Sequence, residues 1–148
     1  MSLLESLVAQ QQEARKSHNK ERLSVLQMAL SAVKNEQIEL RRELVDVDVV
    51  AVLQRLVKQI RDARQDFEIG KRQDLIDQAD FEIGVLSSFL PKQLSEGEVE
   101  QIVHQIIEEI KPAGPQDFGK VMGSVMSKLK GQADGTVVQS VVRRLLSK

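Results

Sequence analysis

The chain has 148 residues, with 21 Lys and Arg against 22 Asp and Glu, and it contains no Cys, Trp or Tyr. A composition that is 41% apolar and 29% charged is that of a folding chain, which excludes a disordered protein. The missing Cys excludes disulfides, Cys-ligated metal centres and a thiol nucleophile. No apolar run reaches the roughly 18 residues of a membrane span, and the first residues do not resemble a signal peptide. We therefore expect a cytoplasmic protein without membrane association.

The first ninety residues are patterned as long helices. Gly70 is the only Gly before position 84 and there is no Pro, so little would interrupt a helix. Apolar residues recur at three- and four-residue steps, which is typical of amphipathic helices with one narrow buried face. Asn19 and Asp46 offer helix starts. The sequence predicts an N-terminal part of helical hairpins over residues 1–92.

One five-residue motif, Asp-Phe-Glu-Ile-Gly, occurs twice, at 66–70 and at 80–84. The offset of 14 residues is two heptads, which returns a residue to nearly the same face of a helix. We interpret the two copies as equivalent packing sites in a hairpin or in one long helix. A true architectural repeat would need more copies.

A shorter helical unit follows the proline at position 91. Ser95 begins the spacing of a capping box, and Asp117 and Asp134 can each cap a further helix. Gly131 suits the position just after a helix end. Apolar residues follow each cap at helical spacing. The sequence thus predicts an all-α fold, in which a small three-helix domain over residues 93–148 follows the N-terminal hairpins.

Few residues support catalysis or metal binding. His18 lies in a polar turn, and His104, with a Glu four residues to either side, suits an exposed charged face. The stretch 114–120 fits G-x-x-x-x-G-K, but Val121 replaces the Ser or Thr that binds Mg²⁺, and no strand is predicted before it. No Ser lies in a nucleophile motif. We expect no catalytic residue, no metal site and no cofactor.

Basic residues are concentrated near the C-terminus. Residues 112–148 contain six Lys and Arg against two Asp, a net charge of +4, which leaves −5 on residues 1–111. Gly119, Gly123, Gly131 and Gly135 fall in the same segment. Gly119 and Gly123 would serve close packing between helices, or small residues there would let a phosphate approach the backbone. Because Tyr and Trp are missing, a bound RNA would be held through its shape and phosphates rather than by base stacking.

Several stretches of the chain resemble the YqeY-like family. They are Arg-Gln-Asp-Leu-Ile at 72–76, Phe-Leu-Pro-Lys-Gln-Leu-Ser at 89–95, Phe-Gly-Lys-Val-Met-Gly at 118–123 and Lys-Gly-Gln-Ala-Asp-Gly at 130–135. The family is similar to the C-terminal tail of the B subunit of the bacterial tRNA-dependent amidotransferase, and to a tail on some glutaminyl-tRNA synthetases. The resemblance implies an all-helical protein whose tail recognises the body of tRNA and performs no chemistry.

The resemblance also implies roles for individual residues. Its tail motif falls on glycines and Asp134, which would determine the fold, and on lysines, which would contact phosphate. Gln132 stands where Lys is frequent in the family, which predicts a weaker positive patch. With the neighbouring cations included, the predicted RNA-binding residues are Lys120, Lys128, Lys130, Arg143 and Arg144. The predicted fold motif is Gly119, Gly123, Gly131, Asp134 and Gly135.

Three functions are compatible with the sequence. The first hypothesis is a non-catalytic accessory protein that binds tRNA, not DNA, and works beside an aminoacyl-tRNA synthetase or an amidotransferase. The second is a helical protein-interaction module, since narrow apolar faces suit docking against another helix pair. The third, implied by the resemblance alone, is a component of a carbon–nitrogen ligase that uses glutamine as its amido-nitrogen donor.

Overall fold

A computed structural model describes residues 1–129 and 131–147, and the chain divides into two compact units, Met1–Leu90 and Pro91–Lys148. Seven α-helices and one 3₁₀ turn make up the regular structure of the described residues, and none of these residues lies in a strand. The predicted all-α fold is confirmed. In this described part, no helix combines the length and apolar character needed to cross a membrane.

The N-terminal unit consists of four helices joined by short turns. Fully buried leucines, one from each helix, lie together in its core: Leu7, Leu26, Leu53 and Leu86. Removing each such side chain from water stabilises the fold by roughly 1.5–3 kcal/mol. The narrow apolar faces of the sequence therefore meet in one shared core. The helices are α1 (Leu3–Lys16), α2 (Lys20–Leu40), α3 (Asp46–Ile69) and α4 (Gln73–Ser87).

The starts of these helices are fixed by side-chain hydrogen bonds. Asn19 accepts from the amide of Arg22 at 3.1 Å, so the cap predicted for α2 is confirmed. At the start of α3, Asp46 accepts from the amide of Leu3 at 2.9 Å, which joins the first turn of α1 to that of α3. The predicted start at Asp46 is confirmed as well.

The two copies of Asp-Phe-Glu-Ile-Gly are not equivalent, so that interpretation is wrong. The first copy ends α3, with Gly70 just beyond the last helical residue, whereas the second lies inside α4. Ile69 is 82% exposed, while the corresponding Ile83 packs against the core. A turn falls between the copies, so the heptad spacing does not relate positions on one helix.

The C-terminal unit is a three-helix bundle with a core rich in valine. Its helices are α5 (Glu96–Ile110), α6 (Phe118–Leu129) and α7 (Gly135–Leu146), and the 3₁₀ turn Pro115–Asp117 precedes α6. Each helix contributes fully buried valines, namely Val99 and Val103, Val121 and Val125, and Val138, Val141 and Val142. The Val-rich stretch at 137–142 is helical, and its buried valines, Val138, Val141 and Val142, lie on the face that the other two helices cover.

Two of the three predicted caps in this unit are confirmed. The Ser95 hydroxyl accepts from the Glu98 amide at 3.2 Å, and the Glu98 carboxylate accepts from the Ser95 amide at 2.8 Å. Asp134 accepts from the amide two residues further on at 2.9 Å. The prediction that Asp117 caps α6 is wrong. Its carboxylate accepts from the amide of Ala113 at 2.8 Å, in the preceding loop, and the 3₁₀ turn leads directly into α6.

Candidate nucleic-acid interface

The exposed side of α6 carries two lysines of the predicted RNA-binding set. Lys120 and Lys128 are both exposed, and neither forms an ion pair with another described residue. They are eight residues apart, which is roughly 12 Å along a helix axis. On the opposite face, Val121 and Val125 are fully buried. Burial of that face orients the helix so that both ammonium groups are directed into solvent.

Small residues occupy the helix surface beside these lysines. Gly119, Gly123, Ser124 and Ser127 are all exposed. A Cβ atom added to Gly119 or Gly123 would meet nothing within 4 Å, so the packing interpretation of these two glycines is wrong. No neighbouring helix requires glycine there. Because only small side chains project here, the backbone on the exposed side of α6 is accessible to a ligand.

Arg143, near the end of α7, lies over the start of α6. Its guanidinium carbon is 5.3 Å from the centroid of the Phe118 ring, within the range of a cation–π interaction. Together with Pro115, the two side chains border a shallow pocket of about 210 Å³. The pairing of Phe118 with Arg143 has no counterpart in the sequence pattern, because the two residues are 25 positions apart and belong to different helices.

Arg144 is directed to the other neighbour of α7. It lies 2.9 Å from the Glu100 carboxylate and 3.7 Å from that of Glu96, both on α5. The adjacent arginines therefore contact different helices, Arg143 the start of α6 and Arg144 the acidic side of α5. The structure does not bring all the predicted RNA-binding residues to one surface.

The turn before α7 contains Gly131 and Asp134 of the predicted fold motif, and Gly135 begins α7. Lys130 lies outside the described residues. Gly131 has a backbone φ of 83°, a left-handed conformation that favours glycine, which agrees with its predicted position after a helix end. The segment entering this unit holds the turn in place: Gln93 donates to the Gly131 carbonyl at 3.0 Å, and the Leu94 amide donates to the Gln132 carbonyl at 2.8 Å.

Charge is divided unevenly within the C-terminal unit. The unit contains eight Lys and Arg against seven Asp and Glu, so its net charge is close to zero. Five of the acids lie on α5, whereas α6 and α7 contain Lys120, Lys128, Arg143 and Arg144 and no acidic residue at all. Among the three helices, Lys and Arg therefore occur only on α6 and α7, and a polyanion would be repelled by α5.

The sequence-level candidates for metal binding and nucleotide binding lie in ordinary helical surroundings. His104 lies 3.4 Å from Glu108, and both side chains are more than 60% exposed. Among the described residues, no three His, Cys, Asp or Glu side chains come together in a way that could hold a metal ion. The stretch 114–120 contains the 3₁₀ turn and the start of α6 rather than a loop following a strand. What the described residues of α6 and α7 present instead is a set of fixed positive charges.

Curated relatives fall into two groups. A segment of 55 residues is 46% identical to the E subunit of the glutamyl-tRNA(Gln) amidotransferase of Thermococcus sibiricus, covering 34% of this chain and 9% of that protein. The corresponding protein of Methanocaldococcus jannaschii is 42% identical over 59 residues, again 9% of its length. The chain thus spans about 9% of the length of these relatives.

The second group is represented by one protein, which the chain matches over most of that protein's length. The protein named altered inheritance of mitochondria protein 41, mitochondrial, of Pyrenophora tritici-repentis is 26% identical over 133 residues, which are 88% of this chain and 73% of that protein. The family model described as Yqey-like protein matches residues 4–146, nearly the whole chain and both helical units. The resemblance found in the motifs is confirmed: this chain belongs to the YqeY-like protein family.

Proposed function

We propose that this chain is a non-catalytic accessory protein that binds tRNA through the basic side of its C-terminal unit. The observation that carries the proposal is the exposed side of α6, where Lys120 and Lys128 lie beside Gly123 without an ion-pair partner in the described part of the chain. An ammonium group that is not neutralised by a carboxylate can replace the counterions of a phosphate, which favours binding of nucleic acid.

The shape of this surface supports contact with the RNA backbone rather than with bases. Gly119 and Gly123 leave room for a sugar–phosphate strand to approach α6 closely. Phe118 is partly buried and already contacts Arg143 through its ring, which disfavours its use as a stacking platform for bases. Recognition would depend on RNA shape and phosphates, which suits the folded body of tRNA.

The relatives support tRNA as the RNA. The Thermococcus proteins that share a segment of 55 residues are amidotransferase subunits named for glutamyl-tRNA(Gln). We accordingly propose an amidotransferase or an aminoacyl-tRNA synthetase as the protein partner, and the cytoplasm as the location. Cell fractionation with a tagged chain tests the location.

The test is binding of bulk tRNA by the purified chain over a series of salt concentrations. The association constant should fall steeply with salt, and the Lys120→Ala/Lys128→Ala variant should lower the slope of log K against log salt by about 1.5–2. Lys16→Ala/Lys34→Ala, which removes two exposed charges from the N-terminal unit, is the matched control and should leave the slope unchanged. Absence of binding at low salt contradicts the proposal.

A protein-interaction module is the second candidate function, and exposed apolar side chains favour it. Ile38, Val45 and Val47 lie near the turn between α2 and α3 and are 65%, 62% and 76% exposed. Recovery of an amidotransferase component or a synthetase by the nuclease-treated chain would support this function. Loss of recovery after nuclease treatment would assign the association to RNA.

The third candidate, a contribution to carbon–nitrogen ligation with glutamine as donor, has a direct assay. Transfer of ammonia to misacylated tRNA is measured with a purified amidotransferase, with and without this chain. A rate that depends on the chain would support the ligase role. An unchanged rate leaves binding as the function.

A further inference from the structure

A groove of about 600 Å³ lies in the N-terminal unit, between the first turns of α2 and one side of α4. It is not part of the basic surface of α6, and the proposed function does not use it. Its volume is within the range of roughly 300–1,000 Å³ that is typical of ligand-binding clefts. The α2 wall includes Glu21 and Val25, and the α4 wall includes Asp74, Asp77, Phe81 and Glu82.

Negative charge predominates in this groove. Four carboxylates face a single cation, Lys20. Asp74 is compensated by Arg72, 3.0 Å away, which also lowers the pKa of that carboxyl. Asp77 and Glu82 have no cation within ion-pair distance among the described residues. Each accepts a hydrogen bond from a neutral glutamine side chain four residues earlier on α4, at 2.8 and 3.2 Å. Their charges are therefore available to a ligand.

Apolar surface accompanies the charge. Phe81 is 39% exposed on the α4 wall, between Asp77 and Glu82 in the helix, and Val25 lies on the facing wall. An aromatic ring beside carboxylates suits a guanidinium, because the ring face attracts the cation while the carboxylates accept its hydrogen bonds. The apolar stem of an arginine, or a neighbouring aliphatic side chain, can cover the exposed ring.

We propose that this groove docks an amphipathic segment of a partner protein that presents arginine side chains beside apolar ones. Charge complementarity argues for this occupant, since the walls have three more negative than positive side chains. The same charge repels RNA, so the inference does not depend on the proposed tRNA binding. The exposed Phe81 distinguishes the groove from a purely acidic surface, which would favour a small polycation equally.

The test uses the full chain and a fluorescent twelve-residue peptide of Leu and Arg with the arginines at i and i+4. Fluorescence anisotropy gives Kd for the wild type and for Asp77→Asn/Glu82→Gln, Phe81→Ala and the control Asp62→Asn/Asp66→Asn. The control removes two exposed charges of α3 outside the groove. Hexa-arginine and a Leu/Glu peptide of the same length serve as probes that lack the apolar or the basic part.

The expected result is a Kd at least tenfold weaker for Asp77→Asn/Glu82→Gln, at least fivefold weaker for Phe81→Ala, and within twofold of wild type for the control. Hexa-arginine should bind at least tenfold more weakly than the Leu/Arg peptide. Amide shifts on adding the peptide should concentrate at Ser24, Gln78 and Phe81. An equal loss of affinity in the control variant would overturn the proposal. So would hexa-arginine binding with the same Kd as the Leu/Arg peptide and with no change of that Kd in Phe81→Ala. Circular dichroism checks that each variant is folded.

Discussion

The Arg144 guanidinium lies 2.9 Å from the Glu100 carboxylate and 3.7 Å from that of Glu96, and so connects the last helix of the C-terminal unit to the first. The Arg144 side chain is 46% exposed, and such surface pairs contribute roughly 0–1 kcal/mol to stability. A phosphate that approaches Arg144 must compete with two carboxylates. Lys120 has no such competitor among the described residues.

We therefore expect the predicted RNA-binding residues to differ in effect. Arg144→Gln should weaken tRNA binding less than Lys120→Gln does, because Arg144 is already paired. Glu100→Gln should strengthen binding, since it removes a repulsive charge and releases Arg144. Filter binding at one fixed low salt concentration measures all three variants. A larger loss for Arg144→Gln than for Lys120→Gln would assign the RNA contact to α7 instead of α6.

From the hydrogen bonds at the start of α3 we expect the stability of the fold to depend on pH. Arg42 donates two hydrogen bonds to Asp48, at 2.7 and 2.9 Å, and the Val45 amide donates a third. These contacts lower the pKa of Asp48 from 3.8 to about 2. A carboxyl with a depressed pKa in the folded state stabilises the fold above its unfolded pKa and loses that contribution as the pH falls through the folded value.

We expect Asp48→Asn to lower the urea midpoint of the N-terminal unit at pH 6. The difference from wild type should shrink between about pH 4 and pH 2, because wild-type Asp48 also becomes neutral there. Asp62→Asn, at an exposed site on the same helix, is the control and should show no such convergence. A difference that stays constant down to pH 2 would mean that the Asp48 charge does not stabilise the fold.

Two valines on α7 allow the contribution of core packing to stability to be measured separately from that of helix propensity. Val141 is fully buried, whereas Val137 is 38% exposed on the same helix. Val141→Ala should destabilise the C-terminal unit by about 2 kcal/mol, from the lost apolar burial and the cavity it leaves. Val137→Ala should stay within about 0.5 kcal/mol of wild type. Urea unfolding followed by NMR signals of α7 checks both, and similar losses would place Val137 in a core.

Periodicity and capping predicted most of the fold because both are local. The capping box at Ser95 and the caps at Asn19 and Asp134 depend on residues two or three positions away. The prediction that the two copies of the duplicated motif are equivalent failed, because identical local sequences do not show that a turn lies between them. The first copy ends at Gly70, and the two residues that follow it lead into α4.

The candidate site was less predictable, because its chemistry depends on neighbours that are distant in the sequence. Arg143 and Arg144 are adjacent in the chain, yet one contacts Phe118 and the other contacts Glu100. The sequence shows which residues are charged, but it does not show which residues they contact. Likewise, a glycine that is needed for packing cannot be distinguished in the sequence from one that lies on an open surface, as Gly123 does.

That distinction gives the last prediction. Gly119 and Gly123 lie in α6 without positive φ, and an added Cβ would meet nothing within 4 Å. Gly119→Ala/Gly123→Ala should therefore stabilise the C-terminal unit by about 1–2 kcal/mol, because alanine is the better helix former. If RNA approaches the α6 backbone here, the same variant should bind tRNA at least fivefold more weakly, since each methyl group holds the strand away.

Gly131→Ala is the contrasting variant. Its φ of 83° is strained for any residue with a Cβ, so this change should destabilise the unit. Urea unfolding and tRNA binding, measured together, separate a fold role from a binding role for each glycine. Unchanged tRNA affinity in a stabilised Gly119→Ala/Gly123→Ala chain would remove close backbone approach from the proposed interface and leave the lysines as its only support.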